Sequence, residues 1–131
     1  MTQQPVPALT YRRVWIALGT LLVVAICILS LMPRPPQIGV PGEDKVFHIL
    51  TYGVLMLWWS QIFRPFKYRL GMATAFVTMG VVIEFLQGWS GWRSFDPQDM
   101  VANAFGVALG WFLFHTPAGA LLARVDRALL R

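Results

Sequence analysis

Four long stretches of the chain contain no lysine or arginine, and this feature restricts the fold more than any other. They cover residues 14–32, 46–63, 70–89 and 100–115, with 19, 18, 20 and 16 residues. As α-helices they would measure about 28, 27, 30 and 24 Å, close to the hydrocarbon thickness of about 30 Å in a bilayer. We therefore predict four membrane-spanning helices. The first is expected to be retained, because no A-x-A-like signal-peptide cleavage site follows it.

The composition agrees with lipid as the surrounding solvent. Hydrophobic residues make up 56% of the 131 residues and charged residues 13%, against about 25% charged in an average soluble domain. The net charge of +5 would suit nucleic acid, but the bases lie in short clusters between apolar stretches. We expect the lipid bilayer, and no nucleic acid, as partner. The predicted fold class is all-α: an integral membrane four-helix bundle, with residues 1–131 as a single domain.

The basic residues predict the orientation of the bundle. With the N-terminus inside, eight of the eleven bases fall in cytoplasmic segments: Arg12, Arg13, Arg64, Lys67, Arg69, Arg124, Arg127 and Arg131. The outer segments hold Arg34, Lys45 and Arg93. Because cytoplasmic loops of membrane proteins are enriched in Lys and Arg, we predict a multi-pass protein of the cell (inner or plasma) membrane with both termini in the cytoplasm.

The C-terminal tail, residues 118–131, has an amphipathic helical pattern. After Pro117, one helix face carries Leu121, Leu122, Val125 and Leu129, and the other carries Arg124, Arg127 and Arg131. This pattern predicts a short amphipathic helix on the inner leaflet. Binding of a protein partner is the alternative role.

Polar residues within the predicted spans are the candidates for function, because a charged or strongly polar side chain in lipid is costly without a partner or water. In chain order they are Asp44, Lys45, His48 and Tyr52 in and before the second span, Glu84 and Gln87 in the third, Arg93 in the following loop, and Asp96, Asp99 and Asn103 at and in the fourth. At 1.5 Å per residue, His48, Glu84 and Asn103 lie about 5, 8 and 6 Å below the outer boundary. We therefore predict that these three converge in one outward-facing site.

Some of these residues have structural alternatives at the helix starts. Asp96 before Pro97 is a good N-cap, and Asp99 three residues later resembles a capping box. Asp44 would also favour the positive end of its helix. Gly106 and Gly110 on the fourth helix indicate close helix packing.

Other candidates have alternatives within the membrane or at its surface. Tyr52 and Gln87 would serve as interhelical hydrogen-bond partners, and Lys45 and Arg93 would suit snorkelling to the interface. Packing alone explains His48 and Glu84 poorly, since apolar residues of similar volume usually do as well.

The sequence resembles the VanZ-like family of small membrane proteins. The matching pattern is Asp44-Lys45-x-x-His48-x-x-x-Tyr52, then Glu84-x-x-Gln87, then Arg93-x-x-Asp96-x-x-Asp99-x-x-x-Asn103-x-x-Gly106-x-x-x-Gly110. Family members often have an aromatic residue where this chain has Ile49. The family is named for a protein linked to low-level resistance to the glycopeptide teicoplanin, so the resemblance implies a role in the cell envelope and supplies no reaction.

Two functions of different classes follow from these residues. The first is binding of a lipid-linked or glycopeptide ligand, with Arg93 and Lys45 on phosphate or carboxylate and Trp89 and Trp92 on an acyl chain or aromatic ring. The ligand-binding candidates are Asp44, Lys45, Tyr52, Gln87, Arg93 and Asn103. The second is a membrane enzyme acting on a lipid or cell-wall precursor, with the catalytic candidates His48 and Glu84 as acid–base pair and Asp99 orienting the histidine.

Two further alternatives are weaker. A metal site would use His48, Glu84 and Asp99 or Asp44, but one histidine with scattered carboxylates matches no recognised spacing. We therefore predict no metal and no cofactor. A transporter would need a polar path across the membrane, and polar residues in the outer half alone supply none without oligomer formation.

Overall fold

The computed structural model describes residues 6, 8–33 and 38–131, and this part of the chain is helical without any strand. Its α-helices are α1 (Arg12–Leu31), α2 (Glu43–Ile62), α3 (Phe66–Ser90), α4 (Pro97–Phe114) and α5 (Leu121–Ala128). A 3₁₀ turn, Pro117–Ala120, joins α4 to α5. The predicted all-α class is confirmed. Arg34, counted above among the outer bases, lies outside the described residues.

The helices begin two to four residues before the predicted spans and end within one residue of them. A search for stretches without Lys or Arg misses the first turn, where charged residues are common. Here α2 begins at Glu43 after Gly42, whose φ of 78° is left-handed, and α4 begins at Pro97. Asp96 is the N-cap of α4, as predicted: its Oδ1 accepts a hydrogen bond of 2.9 Å from the Gln98 N–H.

Two of the described helices are individually long and apolar enough to cross a membrane. They are α1 and α3, with mean hydropathies of 2.7 and 1.6. Helix α4 meets the same test only together with the segment Pro117–Ala128, from which it is bent by 73°. Helix α2 does not meet it, because polar residues such as His48, Ser60 and Gln61 lower its hydropathy. The structure thus supports two membrane-spanning helices, or three if α4 and the bent segment after it form one span. It does not confirm the predicted four.

Helix α2 packs against α1, α3 and α4 in the hydrophobic core. The core residues are Ile26 of α1, Tyr52, Leu55 and Met56 of α2, Phe76 of α3 and Val107 of α4. The α2–α4 contact is close enough to involve backbone atoms, since a Cβ added to Gly106 or Gly110 would overlap the carbonyl oxygen of Ile49 or Gly53. The prediction of close packing at these two glycines is confirmed.

The C-terminal helix α5 is held to the bundle by hydrogen bonds. The carboxylate of buried Asp126 accepts bonds from the Thr10 N–H at 2.7 Å, the Tyr11 N–H at 3.0 Å and Trp15 Nε1 at 2.7 Å. Asp126 therefore binds N–H groups at the start of α1, which otherwise lack partners within the helix.

The predicted apolar face of α5 needs one correction. Leu122 packs in a core cluster with Trp15 and Ile62, and its N–H donates to Gln61 Oε1 at 2.9 Å. Leu121, Val125 and Leu129 remain exposed. The helix therefore presents a narrower apolar stripe than the sequence suggests, because Leu122 turns inward on the same side as Asp126.

Candidate functional site

The Lys45 ammonium joins the start of α2 to the start of α4. It donates to Asp44 Oδ2 at 3.1 Å, to Asp96 Oδ2 at 2.6 Å and to Asp99 Oδ1. An ammonium group has three N–H donors, so these carboxylates use all of them. All three donors of Lys45 are thus engaged within the protein, and its role in holding phosphate or carboxylate stays a prediction.

The same three carboxylates bear on the question of a metal. Oxygen atoms of Asp44, Asp96 and Asp99 lie within 4.8 Å of one another, a spacing that could hold a cation. The Lys45 ammonium bonds to all three and supplies one positive charge among them. The ammonium thus lies among these carboxylates, and the absence of a metal stays a prediction.

His48 uses both ring nitrogens within the protein. Nδ1 lies 2.7 Å from Asn103 Oδ1, and Nε2 lies 3.4 Å from Asp99 Oδ2. The first distance is that of a hydrogen bond, and the second is that of an ion-pair contact. Both ring nitrogens thus face oxygen atoms of the protein. Asp99 lies on the Nε2 side of the ring, and its role in orienting the histidine stays a prediction.

Glu84 of α3 caps α4 from a neighbouring helix. Its side chain is 1% exposed, and Oε1 accepts a 2.5 Å hydrogen bond from the Asp96 N–H. In a capping box the side chain of Asp99 would accept this hydrogen bond. The capping-box prediction is therefore wrong, and the Asp99 carboxylate contacts Lys45 and His48 instead. The other oxygen, Glu84 Oε2, is buried without a partner among the described residues.

Asn103 lies between α2 and α3. It is buried, and its amide lies against Gly80, where an added Cβ would be 2.8 Å from Asn103 Nδ2. Gly80 is one helical turn before Glu84 on the same face of α3. The structure thus places His48 and Asn103 in direct contact and connects Glu84 to them through Asp96, Lys45 and Asp99. Their functional roles stay predictions.

A cavity of about 310 Å³ adjoins this network. It lies between the ends of α1, α2 and α3 and the loop before α4. Five of its lining residues are among the predicted ligand-binding or catalytic residues: Asp44, His48, Tyr52, Gln87 and Arg93. Sequence reasoning missed others, among them Leu29, Ser30, Phe47 and Thr51. Apolar or small residues in an apolar span carry no signal, and only the packing shows that they face a cavity.

The polar groups on the cavity wall differ in whether they have partners. Gln87 Nε2 donates to the Ser30 carbonyl oxygen at 2.7 Å, which confirms its predicted interhelical hydrogen bond. Tyr52 OH and Arg93 Nη1 are buried and have no partner among the described residues. Buried polar atoms in native proteins nearly always have one, so Tyr52 and Arg93 are cavity-lining residues that each have a buried polar atom to satisfy.

The two tryptophans predicted to pack on a ligand do not line this cavity. Trp89 is largely exposed, and Trp92 Nε1 donates to the Leu31 carbonyl oxygen at 3.3 Å. The apolar wall is instead formed by residues such as Leu29 and Phe47.

The helical fold of the described residues, two apolar candidate spans and a partly buried network of charged residues are features of a membrane protein. The family model described as VanZ/LLP1 matches residues 8–122, nearly the whole chain. The chain belongs to this family, as its resemblance predicted. An uncharacterised protein of Schizosaccharomyces pombe is 30% identical over 96 residues, which cover 71% of this chain and 59% of that protein. No solved structure matches the chain.

Proposed function

We propose that this VanZ-like protein is a multi-pass protein of the cell envelope that binds a lipid-linked or cell-wall-related molecule in the cavity beside His48. The observation that carries the proposal is the hydroxyl of Tyr52. This residue is 2% exposed, its hydroxyl has no partner among the described residues, and it lies on the wall of a 310 Å³ cavity. A bound molecule or water would satisfy that hydroxyl.

The proposed topology has four spans, an outward-facing cavity and both termini in the cytoplasm. Helices α2 and α4 are less apolar than α1 and α3, but they direct polar groups such as His48, Asp99 and Asn103 toward each other. Polar residues are tolerated in a membrane when they face the bundle interior and pair there. The bases of the α2–α3 connection and α5 lie at the opposite end, which favours the cytoplasm for that end.

Binding is better supported than catalysis. The predicted acid–base pair needs a histidine nitrogen that can reach a substrate, and both nitrogens of His48 have partners within the protein. The enzymatic alternative rests on Glu84, whose Oε2 has no partner among the described residues and would serve as a proton donor if the carboxyl were protonated.

The cavity size limits the kind of ligand. At about 310 Å³ it is at the lower end of the range for small-molecule sites, which is roughly 300–1,000 Å³. It would hold a head group or a small polar unit and not a whole glycopeptide. A part in glycopeptide resistance would therefore act through an envelope molecule and not through capture of the antibiotic.

The proposal is tested by filling the cavity. Thr51 lines it, whereas the neighbouring Leu50 is exposed on the outer surface of α2. The full chain is purified from its own membranes as wild type, Thr51→Trp and Leu50→Trp, and co-purified molecules are identified by native mass spectrometry. We expect a specific adduct in wild type and Leu50→Trp that Thr51→Trp has lost. An adduct retained equally in all three proteins would contradict the proposal.

A further inference from the structure

The cavity wall contains four charged or chargeable residues, and three of them are already paired. Glu43 Oε2 accepts from the N–H groups of Ile38, Gly39 and Val40 at 2.8 to 3.3 Å. The Asp44 carboxylate is bonded to Lys45, and both ring nitrogens of His48 face oxygen atoms. Each of these three residues thus has a partner elsewhere in the protein.

Arg93 is the fourth, and it has no acidic partner. No carboxylate of the described residues lies within 4.0 Å of its guanidinium, and its Nη1 is buried without any hydrogen bond. Arg93 as a whole is partly exposed, but its buried Nη1 donor without a partner is unfavourable. A guanidinium also has planar, paired donors that match the oxygens of a phosphate or carboxylate. Tyr52, whose hydroxyl has no partner among the described residues, lines the same cavity and could provide a further donor.

The apolar part of the cavity continues to the outer surface of the protein. Leu29 of α1 and Phe47 of α2 both line the cavity, yet they are 46% and 44% exposed. In a membrane their exposed surfaces would contact lipid. Both residues thus have surface in the cavity and surface outside it, so a hydrocarbon chain could pass between them into the bilayer.

From these observations we infer that the ligand is an anionic amphiphile: an oxyanionic head group, phosphate or carboxylate, bound by Arg93 and Tyr52, with a hydrocarbon chain that leaves between Leu29 and Phe47. This inference rests on the proposed binding function and specifies its ligand class. The sequence suggested two cations for the anion, Lys45 and Arg93. The inference assigns it to Arg93 alone, because Lys45 is bonded to three carboxylates.

The test uses simple amphiphiles of one chain length as probes. The full chain in a non-ionic detergent is titrated with dodecyl phosphate, dodecanoate, 1-dodecanol and inorganic phosphate, and affinities are measured by calorimetry. We expect the two anionic amphiphiles to bind at least about tenfold more tightly than the neutral alcohol, because a charge-assisted hydrogen bond is lost with the alcohol. Inorganic phosphate should bind much more weakly than dodecyl phosphate, because it lacks the chain.

The variants identify the group that binds the anion. Arg93→Gln should bring the affinity for dodecyl phosphate down to that for 1-dodecanol, and Arg93→Lys, which keeps the charge, should retain part of the difference. Arg124→Gln on the exposed surface of α5 is the control and should bind as wild type.

The outcomes separate this inference from the proposed function. If Arg93→Gln binds dodecyl phosphate as wild type does while Thr51→Trp abolishes binding, the cavity binds amphiphiles but the assignment of the anion to Arg93 is wrong. If inorganic phosphate binds as tightly as dodecyl phosphate, the hydrocarbon part of the inference is wrong. If no probe binds in a manner sensitive to Thr51→Trp, the proposed function itself is contradicted.

Discussion

Replacing Gly106 with alanine tests whether the close approach of α2 and α4 holds the polar network together. A Cβ at this position would lie more than half an ångström inside the 3.0 Å that real Cβ atoms keep from other atoms, and the atom it meets is the Ile49 carbonyl oxygen. Backbone cannot rotate away as a side chain can. The two helices must therefore move apart locally by at least that amount.

This displacement reaches the His48–Asn103 hydrogen bond. Asn103 is about one helical turn before Gly106, and His48 is adjacent to Ile49. The 2.7 Å contact between them would therefore lengthen beyond about 3.2 Å, the usual upper limit for such bonds. Overpacking typically costs about 1–3 kcal/mol, and a weakened buried hydrogen bond adds about 1 kcal/mol. The expected loss in the free energy of unfolding is therefore about 2–4 kcal/mol.

Thermal unfolding in detergent measures this loss. Cys27 is the one cysteine of the sequence and is partly buried, with its Sγ 3.9 Å from Met79 Sδ. A thiol-reactive dye therefore reports unfolding. We expect the Gly106→Ala midpoint to fall by on the order of 10 °C.

The matched control is Gly71→Ala in α3, where an added Cβ meets nothing within 4 Å. It should be neutral or stabilising by up to about 1 kcal/mol, because alanine favours the helix over glycine. Equal midpoints for Gly106→Ala and Gly71→Ala would refute the reasoning from backbone contact.

Three further predictions concern the tail, the orientation and the chemistry. Burial alone would raise the pKa of Asp126, but hydrogen bonds from Trp15 and from N–H groups at the start of α1 outweigh it and hold that pKa below its usual range. The stabilisation is thus present above the unfolded pKa and lost as pH falls through the lower folded value. Thermal midpoints of wild type should drop below about pH 4, whereas those of Asp126→Asn should depend less on pH. In a chain whose native cysteine is replaced by serine, Ser94→Cys should react with an impermeant thiol reagent in intact cells and Lys67→Cys should not; the reverse pattern would invert the topology. Glu84→Gln should change ligand affinity modestly if the site only binds, and abolish turnover with binding retained if Glu84 transfers a proton.

The sequence predicted those features that depend on neighbouring residues along a helix. Long stretches without Lys or Arg gave the helices to within a few residues, and Asp96-Pro97 gave the start of α4. The glycine pair Gly106 and Gly110 predicted the close contact of α4 with another helix. Each of these signals is local, because it follows from helix periodicity or from capping.

The features that the sequence did not predict depend on contacts between distant residues. Nothing near Lys45 shows that its ammonium is taken by carboxylates 51 and 54 positions away. Nothing near Glu84 shows that it, and not Asp99, binds the N–H of Asp96. The docking of α5 through Asp126 joins residues up to 116 positions apart. Such pairings depend on the three-dimensional arrangement of the helices, as does the cavity that Thr51 lines.

The most direct test of the central claim is photo-cross-linking from within the cavity in intact cells. A benzophenone amino acid is placed at Thr51, which lines the cavity, or at Leu50, which is exposed on the same turn of α2, and the adducts are identified by mass spectrometry after irradiation. We predict that position 51 captures one defined envelope amphiphile, whereas position 50 captures the bulk lipids in proportion to their abundance. The same mixture of bulk lipids at both positions would show that the cavity is not a ligand site.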